Sequence, residues 1–227
     1  MYGARLDMKV QMTATRETLL EIYHRLLSCY GPQHWWPAED AFEVVVGAIL
    51  TQSAAWTNVE KAISNLKAAG ALTPAALLAI PCDRLAALIR PCGYYNAKAK
   101  KLKAFVQRLE SGYGGDLERL FALDTIELRQ ELLTVHGIGE ETADSIILYA
   151  ARKPVFVIDA YTRRILRRLA LAPSGDSYGA FQALFAENLP RDEGLYGEYH
   201  ALLVRHGKEV CRKAPRCPIC CMRDVCR

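Results

Sequence analysis

The chain has 227 residues, of which 51% are hydrophobic and 24% are charged. This is the composition of a globular chain that folds in water, not of a disordered or membrane-spanning one. No apolar run approaches the roughly 18 residues that a spanning helix requires, and the first residues do not form a signal peptide, so we expect a cytoplasmic protein. The formal net charge of +4 is too small to indicate a nucleic-acid partner by itself.

Helical spacing of apolar residues recurs along the chain, and strand signals are nearly absent. Phe42, Val45, Ile49 and Leu50 lie on one face of a predicted helix, and "TPAALLAIPCDRLAALIRPCG" predicts two short helices separated by Pro. The apolar run "KPVFVIDAY" is short and has no partner strand, so we interpret it as a buried connector. The predicted fold class is all-α.

All three tryptophans flank the first of these helices. Trp35 and Trp36, followed by Pro37, precede it, and Trp56 follows it. Ordinary core packing explains such residues, and a stacking pocket is the alternative.

Two basic runs follow in chain order. "NAKAKKLKAF" contains Lys98 and Lys101, and "DAYTRRILRRLA" contains Arg163 and Arg167. A single run of this kind indicates a solvated helix face. Two runs that flank a glycine turn favour a surface that follows phosphates.

The glycine turn lies in "LLTVHGIGEETADSII". One amphipathic helix is predicted to end at Gly137, and a second to begin after Gly139, with Ile138 between them. Small residues here let backbone amides approach an anion such as a nucleic-acid phosphate. A plain corner between two helices is the simpler alternative.

Asp159 ends the apolar connector and precedes "AYTRRIL". From its position alone it is an N-cap, which accepts hydrogen bonds from the first amides of a helix.

The chain contains eight cysteines, and five of them lie in the last 17 residues. The pattern C-x5-C-x2-C-x5-C, formed by Cys211, Cys217, Cys220 and Cys226, suits either a [4Fe-4S] cluster or a tetrahedral zinc ion. A disulfide framework would suit an exported chain. Cys221 is a possible alternative ligand. The remaining cysteines, Cys29, Cys82 and Cys92, are predicted to be core thiols.

Taken together, these motifs resemble the endonuclease III superfamily of helix-hairpin-helix DNA glycosylases. "LLTVHGIGEETADSIILYA" followed by "PVFVIDAYTRRILRRL" resembles the family's hairpin and following aspartate, and "HGKEVCRKAPRCPICCMRDVC" resembles its cluster loop. The resemblance implies a [4Fe-4S] cluster, although the first cysteine gap is one residue shorter than in endonuclease III. Arg216 in this loop is then expected to face DNA.

The resemblance also implies roles for two carboxylates. Asp159 takes the position of the family's essential aspartate, which stabilises positive charge at C1′ as the base departs. Glu141 takes the position where lyase members have a lysine, and a carboxylate cannot form a Schiff base. Glu141 either orients water or adds a favourable charge to the first turn of a helix.

The stretch W-W-P and the aromatic residue after T-Q resemble the 3-methyladenine glycosylase branch. There such residues form the base pocket, and stacking a cationic alkylated purine on indole adds about 0.5–2 kcal/mol.

We therefore expect a monomer with a six-helix lobe over residues 34–153 and a second lobe formed by residues 1–33 and 154–227. Its partner would be damaged duplex DNA, and its reaction hydrolytic release of a flipped base, in particular an alkylated purine. The alternatives are an apurinic-site lyase of the endonuclease III type, if another amine replaces the missing lysine, and a DNA-binding module without catalysis.

Overall fold

The computed structural model describes residues 2–226, and their side chains from residue 14 onwards. Over this range the regular structure is entirely helical, with twelve α-helices and two 3-10 turns, which confirms the all-α class. The chain divides into two compact units. One comprises the residues up to Trp35 together with those from Pro154, and the other comprises Trp36–Lys153.

The continuous unit contains eight α-helices where the sequence predicted six. Short segments such as Pro74–Ala79 and Leu117–Phe121 are separate helices, each with its own N-cap, Thr73 and Asp116. The eight are α2 (Ala41–Leu50), α3 (Trp56–Ala68), α4 (Pro74–Ala79), α5 (Cys82–Leu88), α6 (Tyr95–Tyr113), α7 (Leu117–Phe121), α8 (Thr125–Thr134) and α9 (Glu140–Tyr149).

Helices α2 and α9 form the core of this unit. All residues from Phe42 to Leu50 and from Thr142 to Tyr149 are buried. Each fully buried aliphatic side chain contributes about 1.5–3 kcal/mol. Arg129 of α8 donates from Nε to Oδ1 of Asp144 at 2.7 Å, and Asp144 is 0% exposed. Loss of this arginine would leave a buried charge and cost about 3–5 kcal/mol.

The discontinuous unit is built from α1 (Tyr2–Tyr30), α10 (Ala160–Arg168), α11 (Tyr178–Asn188) and α12 (Glu193–Glu209). Its core is aromatic: the rings of Phe156 and Phe185 stack with centroids 3.7 Å apart, and the Tyr199 hydroxyl donates to the carbonyl of Leu19 at 2.9 Å. Phe156 belongs to the predicted connector, which has no regular secondary structure from residue 152 to 159. The connector ends in Asp159, so this core sets the position of that carboxylate.

Two of the predicted core thiols are not buried. Cys92 is 3% exposed, as expected, but Cys29 and Cys82 are exposed, so the prediction is wrong for them. Helical spacing does not reveal which face of a helix another element covers.

Within the described part of the chain, no helix has the length and apolar character needed to cross a bilayer.

Candidate functional site

The glycine turn connects α8 to α9. Gly137 has φ +83°, a conformation that favours glycine, whereas Gly139 has φ −97° and is the N-cap of α9. Ile138 between them is 5% exposed and anchors the turn in the core. The two exposed carboxylates that follow, Glu140 and Glu141, lie in the first turn of α9, where the helix dipole favours negative charge.

Gln52 holds this turn in place. Its Nε2 donates to the carbonyl of Gly137 at 3.1 Å and to Oγ1 of Thr142 at 2.9 Å, and its Oε1 accepts from Nζ of Lys101 at 2.5 Å. A Cβ on Gly137 would overlap the methylenes of the same lysine. Sequence reasoning missed Gln52, although an amide directly after an apolar helix was a usable signal. The amide and the lysine together fix the shape of the hairpin.

Lys98 does not belong to a DNA-binding surface, and this prediction is wrong. It is 2% exposed, and its ammonium donates to the carbonyls of Leu50 at 2.9 Å and Cys92 at 2.8 Å. Burial lowers its pKa from the usual value. Lys98 therefore connects α6 to the end of α2.

The predicted arginines of α10 have an acidic partner. Arg163 donates from Nη1 to the carbonyl of Asp176 at 2.8 Å, and Arg167 bonds the carboxylate of Asp176. Both guanidinium groups lie over the ring of Phe181, at 4.9 and 5.6 Å from its centroid. Arg216, in the cysteine loop, is exposed. A DNA contact by any of the three stays a prediction.

Asp159 is the N-cap of α10 and is 8% exposed. Its Oδ1 accepts from the backbone amide of Thr162 at 2.7 Å, and its Oδ2 lies 3.9 Å from Nε2 of His200. Burial lowers the pKa of His200, an effect that Asp159 opposes and Lys208 reinforces. His200 is therefore neutral at pH 7, and its contact with Asp159 is not an ion pair.

Lys208 is a second residue near Asp159 that the sequence did not predict. Burial lowers the pKa of its ammonium, while the charge of Asp159 raises it. Its Nζ lies 5.6 Å from the centroid of the Trp35 ring. The preceding residue, Gly207, approaches Tyr161 so closely that a Cβ would lie 2.6 Å from the ring. This approach brings the end of α12 to the beginning of α10, and places a lysine in the environment of the carboxylate.

The predicted aromatic residues belong to both units. Trp36 packs edge-to-face on Trp56 at 5.2 Å and tilted on Tyr149 at 5.4 Å between ring centroids. Nε1 of Trp56 donates to Oε1 of Glu60 at 2.8 Å. Pro37 is exposed. Trp35 belongs to the discontinuous unit, where its ring faces Lys208. Tyr149, which the sequence analysis did not single out, completes an aromatic group inside the continuous unit.

The cysteines of the C-terminal loop lie close to one another and to α10. Nη1 of Arg168 donates to Sγ of Cys211 at 3.2 Å, and the Cys226 thiol donates to the carbonyl of Arg168 at 3.6 Å. Burial raises the pKa of Cys220, and the neighbouring thiols Cys211, Cys226 and Cys217 raise it further. The four predicted ligands therefore share one environment.

Among the described residues, no three His, Cys, Asp or Glu side chains converge on a point that could hold a single metal ion. The four cysteines keep the number and spacing of thiols that either a [4Fe-4S] cluster or a tetrahedral zinc ion requires. A cluster at these cysteines therefore stays a prediction.

An all-helical fold with a glycine hairpin and a buried aspartate that caps the next helix is typical of helix-hairpin-helix DNA glycosylases. Residues 46–191 match the family described as HhH-GPD superfamily base excision DNA repair protein, and the chain belongs to this family. The resemblance inferred from the motifs is therefore confirmed.

Several known proteins are similar over most of the chain. A putative DNA repair glycosylase of Methanocaldococcus jannaschii is 47% identical, covering 92% of this chain and 96% of the relative. Endonuclease III of Sulfolobus acidocaldarius is 28% identical, covering 83% and 82%. The crystal structure of H. pylori 3-methyladenine DNA glycosylase bound to 1,N6-ethenoadenine is 28% identical with a TM-score of 0.73, covering 87% of this chain and 97% of that one.

Proposed function

We propose that this protein is a monofunctional DNA glycosylase that hydrolyses the N-glycosidic bond of alkylated purines flipped out of duplex DNA. The observation that carries the proposal is the environment of Asp159. Helix capping uses Oδ1, whereas Oδ2 lies beside a neutral histidine, with a lysine also in electrostatic range. A residue that only capped a helix would not need this burial.

Asp159 would act through charge. As the base departs, C1′ develops oxocarbenium character, and a fixed carboxylate stabilises this charge more than it stabilises the neutral sugar. The amide of Thr162 holds the carboxylate at 2.7 Å, so little reorganisation is needed during the reaction. His200 adds no competing positive charge, because burial keeps it neutral.

Water is the proposed nucleophile because Glu141 occupies the place of an amine. A carboxylate in the first turn of α9 cannot form an imine with C1′. The product would then be a free base and an intact abasic strand.

The aromatic group supports the choice of substrate. Trp36 and Trp56 present indole rings in contact, and indole binds cationic bases by a cation–π interaction of about 0.5–2 kcal/mol. The similar H. pylori enzyme is a 3-methyladenine glycosylase with a modified adenine bound. A cationic purine is also a good leaving group, which suits a site without a strong acid.

We propose that Cys211, Cys217, Cys220 and Cys226 hold a [4Fe-4S] cluster. When bound, the cluster would supply no chemistry to the reaction and would serve to fold the loop. Arg168 would contribute through its hydrogen bond to Cys211 and through its bonds to the carbonyls of Arg212 at 2.7 Å and Lys213 at 3.0 Å. The loop would then present Arg216 to the phosphates of duplex DNA.

The decisive experiment measures base release from a duplex with one alkylated purine. We expect release of the free base with the strand intact until hot alkali is added, and no covalent complex after borohydride treatment. Asp159→Asn should abolish release and retain binding. Trp56→Ala should reduce release more than general duplex binding.

Asp192→Asn is the matched control for Asp159→Asn. Asp192 caps α12 through a hydrogen bond from the amide of Leu195 at 2.7 Å, as Asp159 caps α10. Loss of capping alone would therefore affect both variants, whereas the proposal predicts loss of activity only in Asp159→Asn. If the wild type bound the duplex but released no base, and Asp159→Asn bound it equally well, the chain would be a DNA-binding module without catalysis.

Lys208 favours one alternative, a lyase of the endonuclease III type. Its amine lies in electrostatic range of Asp159 and could take the place of the missing lysine. In that case borohydride would trap a complex on abasic DNA, and Lys208→Arg would abolish the trapping.

A further inference from the structure

The connector before α10 is held by side chains of α11. Residues 152–159 have no regular secondary structure, so buried backbone groups there need other partners. The backbone amide of Ile158 donates to the hydroxyl oxygen of Tyr178 at 3.2 Å. The amide nitrogen Nε2 of Gln182 donates to the carbonyl of Phe156 at 2.8 Å. Both connector residues are 1% exposed, so α11 supplies partners that solvent does not reach.

The side chains that make these contacts lie on one face of α11. Tyr178 and Gln182 are four residues apart, and Phe185 follows three residues later, so all three share that face. The ring of Phe185 stacks on the ring of Phe156, with centroids 3.7 Å apart. Ser177 caps the beginning of the helix through its side chain. A capped helix therefore presents a hydroxyl, an amide and a ring to successive groups of the connector.

Helix α11 also contacts the helix that follows Asp159. The guanidinium groups of Arg163 and Arg167 in α10 lie over the ring of Phe181, which belongs to α11, at 4.9 and 5.6 Å from its centroid. The backbone amide of Arg163 donates to the carbonyl of Asp159 at 3.1 Å. The chain is thus held by α11 both before and after the aspartate.

These contacts bear directly on the carboxylate of Asp159. Ile158 is the residue before it, so the bond to Tyr178 fixes the backbone one peptide unit away. The hydrogen bond from the amide of Thr162 orients Oδ1 relative to α10, but it does not fix the connector. If the amide of Ile158 lost its acceptor, the connector would shift to find another partner, because an unpaired buried amide is costly. The carboxylate would move with it.

We propose that Tyr178 and Gln182 are positioning residues, which hold the carboxylate of Asp159 where it stabilises positive charge on C1′. The inference rests on the proposed function, since it concerns the same carboxylate. Each side chain would act through the backbone that ends in Asp159 rather than by contact with the substrate. Such precision matters for catalysis, because a misplacement of about 1 Å can cost about 100-fold in rate.

The test uses Tyr178→Phe, which keeps the ring and removes the acceptor of a buried amide. We expect kcat for base release to fall by about 10–100-fold. KM and the Kd for duplex DNA should stay within about twofold of the wild type, because the substrate contacts are retained. Gln182→Met removes the donor to Phe156 at similar side-chain length, and its effect should have the same direction.

Tyr199→Phe is the matched control. Tyr199 is a buried tyrosine of the same unit, and its hydroxyl donates to the carbonyl of Leu19 at 2.9 Å. Both tyrosine variants lose one buried hydrogen bond, so both should lower Tm by about 2–4 °C. Only Tyr178→Phe should lower kcat. An unchanged kcat in Tyr178→Phe, or an equal loss in both variants, would overturn the proposal.

Hydrogen exchange followed by mass spectrometry tests the positioning without base release. In Tyr178→Phe the segment 155–163 should exchange about tenfold faster than in Tyr199→Phe, because its local opening becomes easier. Equal exchange of this segment in the two variants would overturn the proposal. If the wild type released no base, the proposed function would be rejected, and the exchange result alone would decide whether α11 holds Asp159 in place.

Discussion

At the scale of single residues, the environment of Asp159 contains more than helix capping requires. Its carboxylate accepts from the amide of Thr162, which is the capping role that its position in the sequence predicts. The same carboxylate is also buried beside His200, which capping does not require. A connector with a rigid aromatic anchor, Phe156, makes this possible by fixing the backbone three residues before the carboxylate.

His200 gives a prediction for the pH dependence of stability. Burial lowers the pKa of His200 in the folded chain. As the pH falls, His200 therefore binds a proton near pH 6.5 in the unfolded chain, but only at a lower pH in the folded chain. Stability should therefore fall as the pH decreases below about 6.5. In His200→Gln this fall should be shallower, as measured by urea unfolding at pH 7.5, 6.5 and 5.5. Equal pH dependence in both proteins would show that His200 titrates alike in the folded and unfolded chains.

At the scale of elements, the hairpin between α8 and α9 is held by side chains as well as by its own backbone. Gln52 bonds a carbonyl inside the turn, and Lys101 bonds Gln52. The two glycines consequently differ. Gly137 has a positive φ and lies against Lys101. Gly139 has an ordinary φ, and among the described residues no side chain from elsewhere in the chain lies within 4 Å of the position that its Cβ would take.

This difference predicts unequal effects of two matched substitutions. Gly137→Ala should cost about 1–2 kcal/mol of stability, because alanine is strained at positive φ and its methyl displaces Lys101. It should also weaken duplex binding, since the turn changes shape. Gly139→Ala should cost less than about 1 kcal/mol, as an N-cap effect alone. Thermal unfolding and fluorescence anisotropy measure the two effects, and similar losses in both variants would contradict the assignment.

At the scale of the whole molecule, the cysteine loop connects to three helices of its unit. Arg168 of α10 bonds Cys211, His206 of α12 lies near Cys220, and Arg25 of α1 bonds Asp224. The loop has little regular secondary structure, so these side-chain contacts do much to hold it in place. Loss of the proposed metal group should therefore disturb the whole unit, including the start of α10.

The metal content of the protein tests the assignment of this loop. Anaerobically purified protein should be yellow-brown and contain about four irons per chain, because four thiolates at this spacing suit a [4Fe-4S] cluster. Cys217→Ser and Cys226→Ser should lower the iron content, while Cys221→Ser should leave it unchanged. Stoichiometric zinc in freshly prepared protein would reject the cluster.

The sequence by itself determined the helical class, the positions of the hairpin and of Asp159, and the family. These follow from local patterns: apolar spacing, two glycines at a helix break, and an aspartate before a helix. Local patterns specify backbone geometry and capping directly.

Only the tertiary structure decided which polar groups are partners. It placed Lys98 in the core and brought His200 and Lys208 of α12 to Asp159 of α10. These partners are distant in sequence, and their approach depends on packing details such as the absence of a side chain at Gly207. The spacing of apolar residues along the chain shows which face of a helix is apolar. Which element packs on that face is decided only in the folded structure, because burial and pairing energies depend on the contacts formed there.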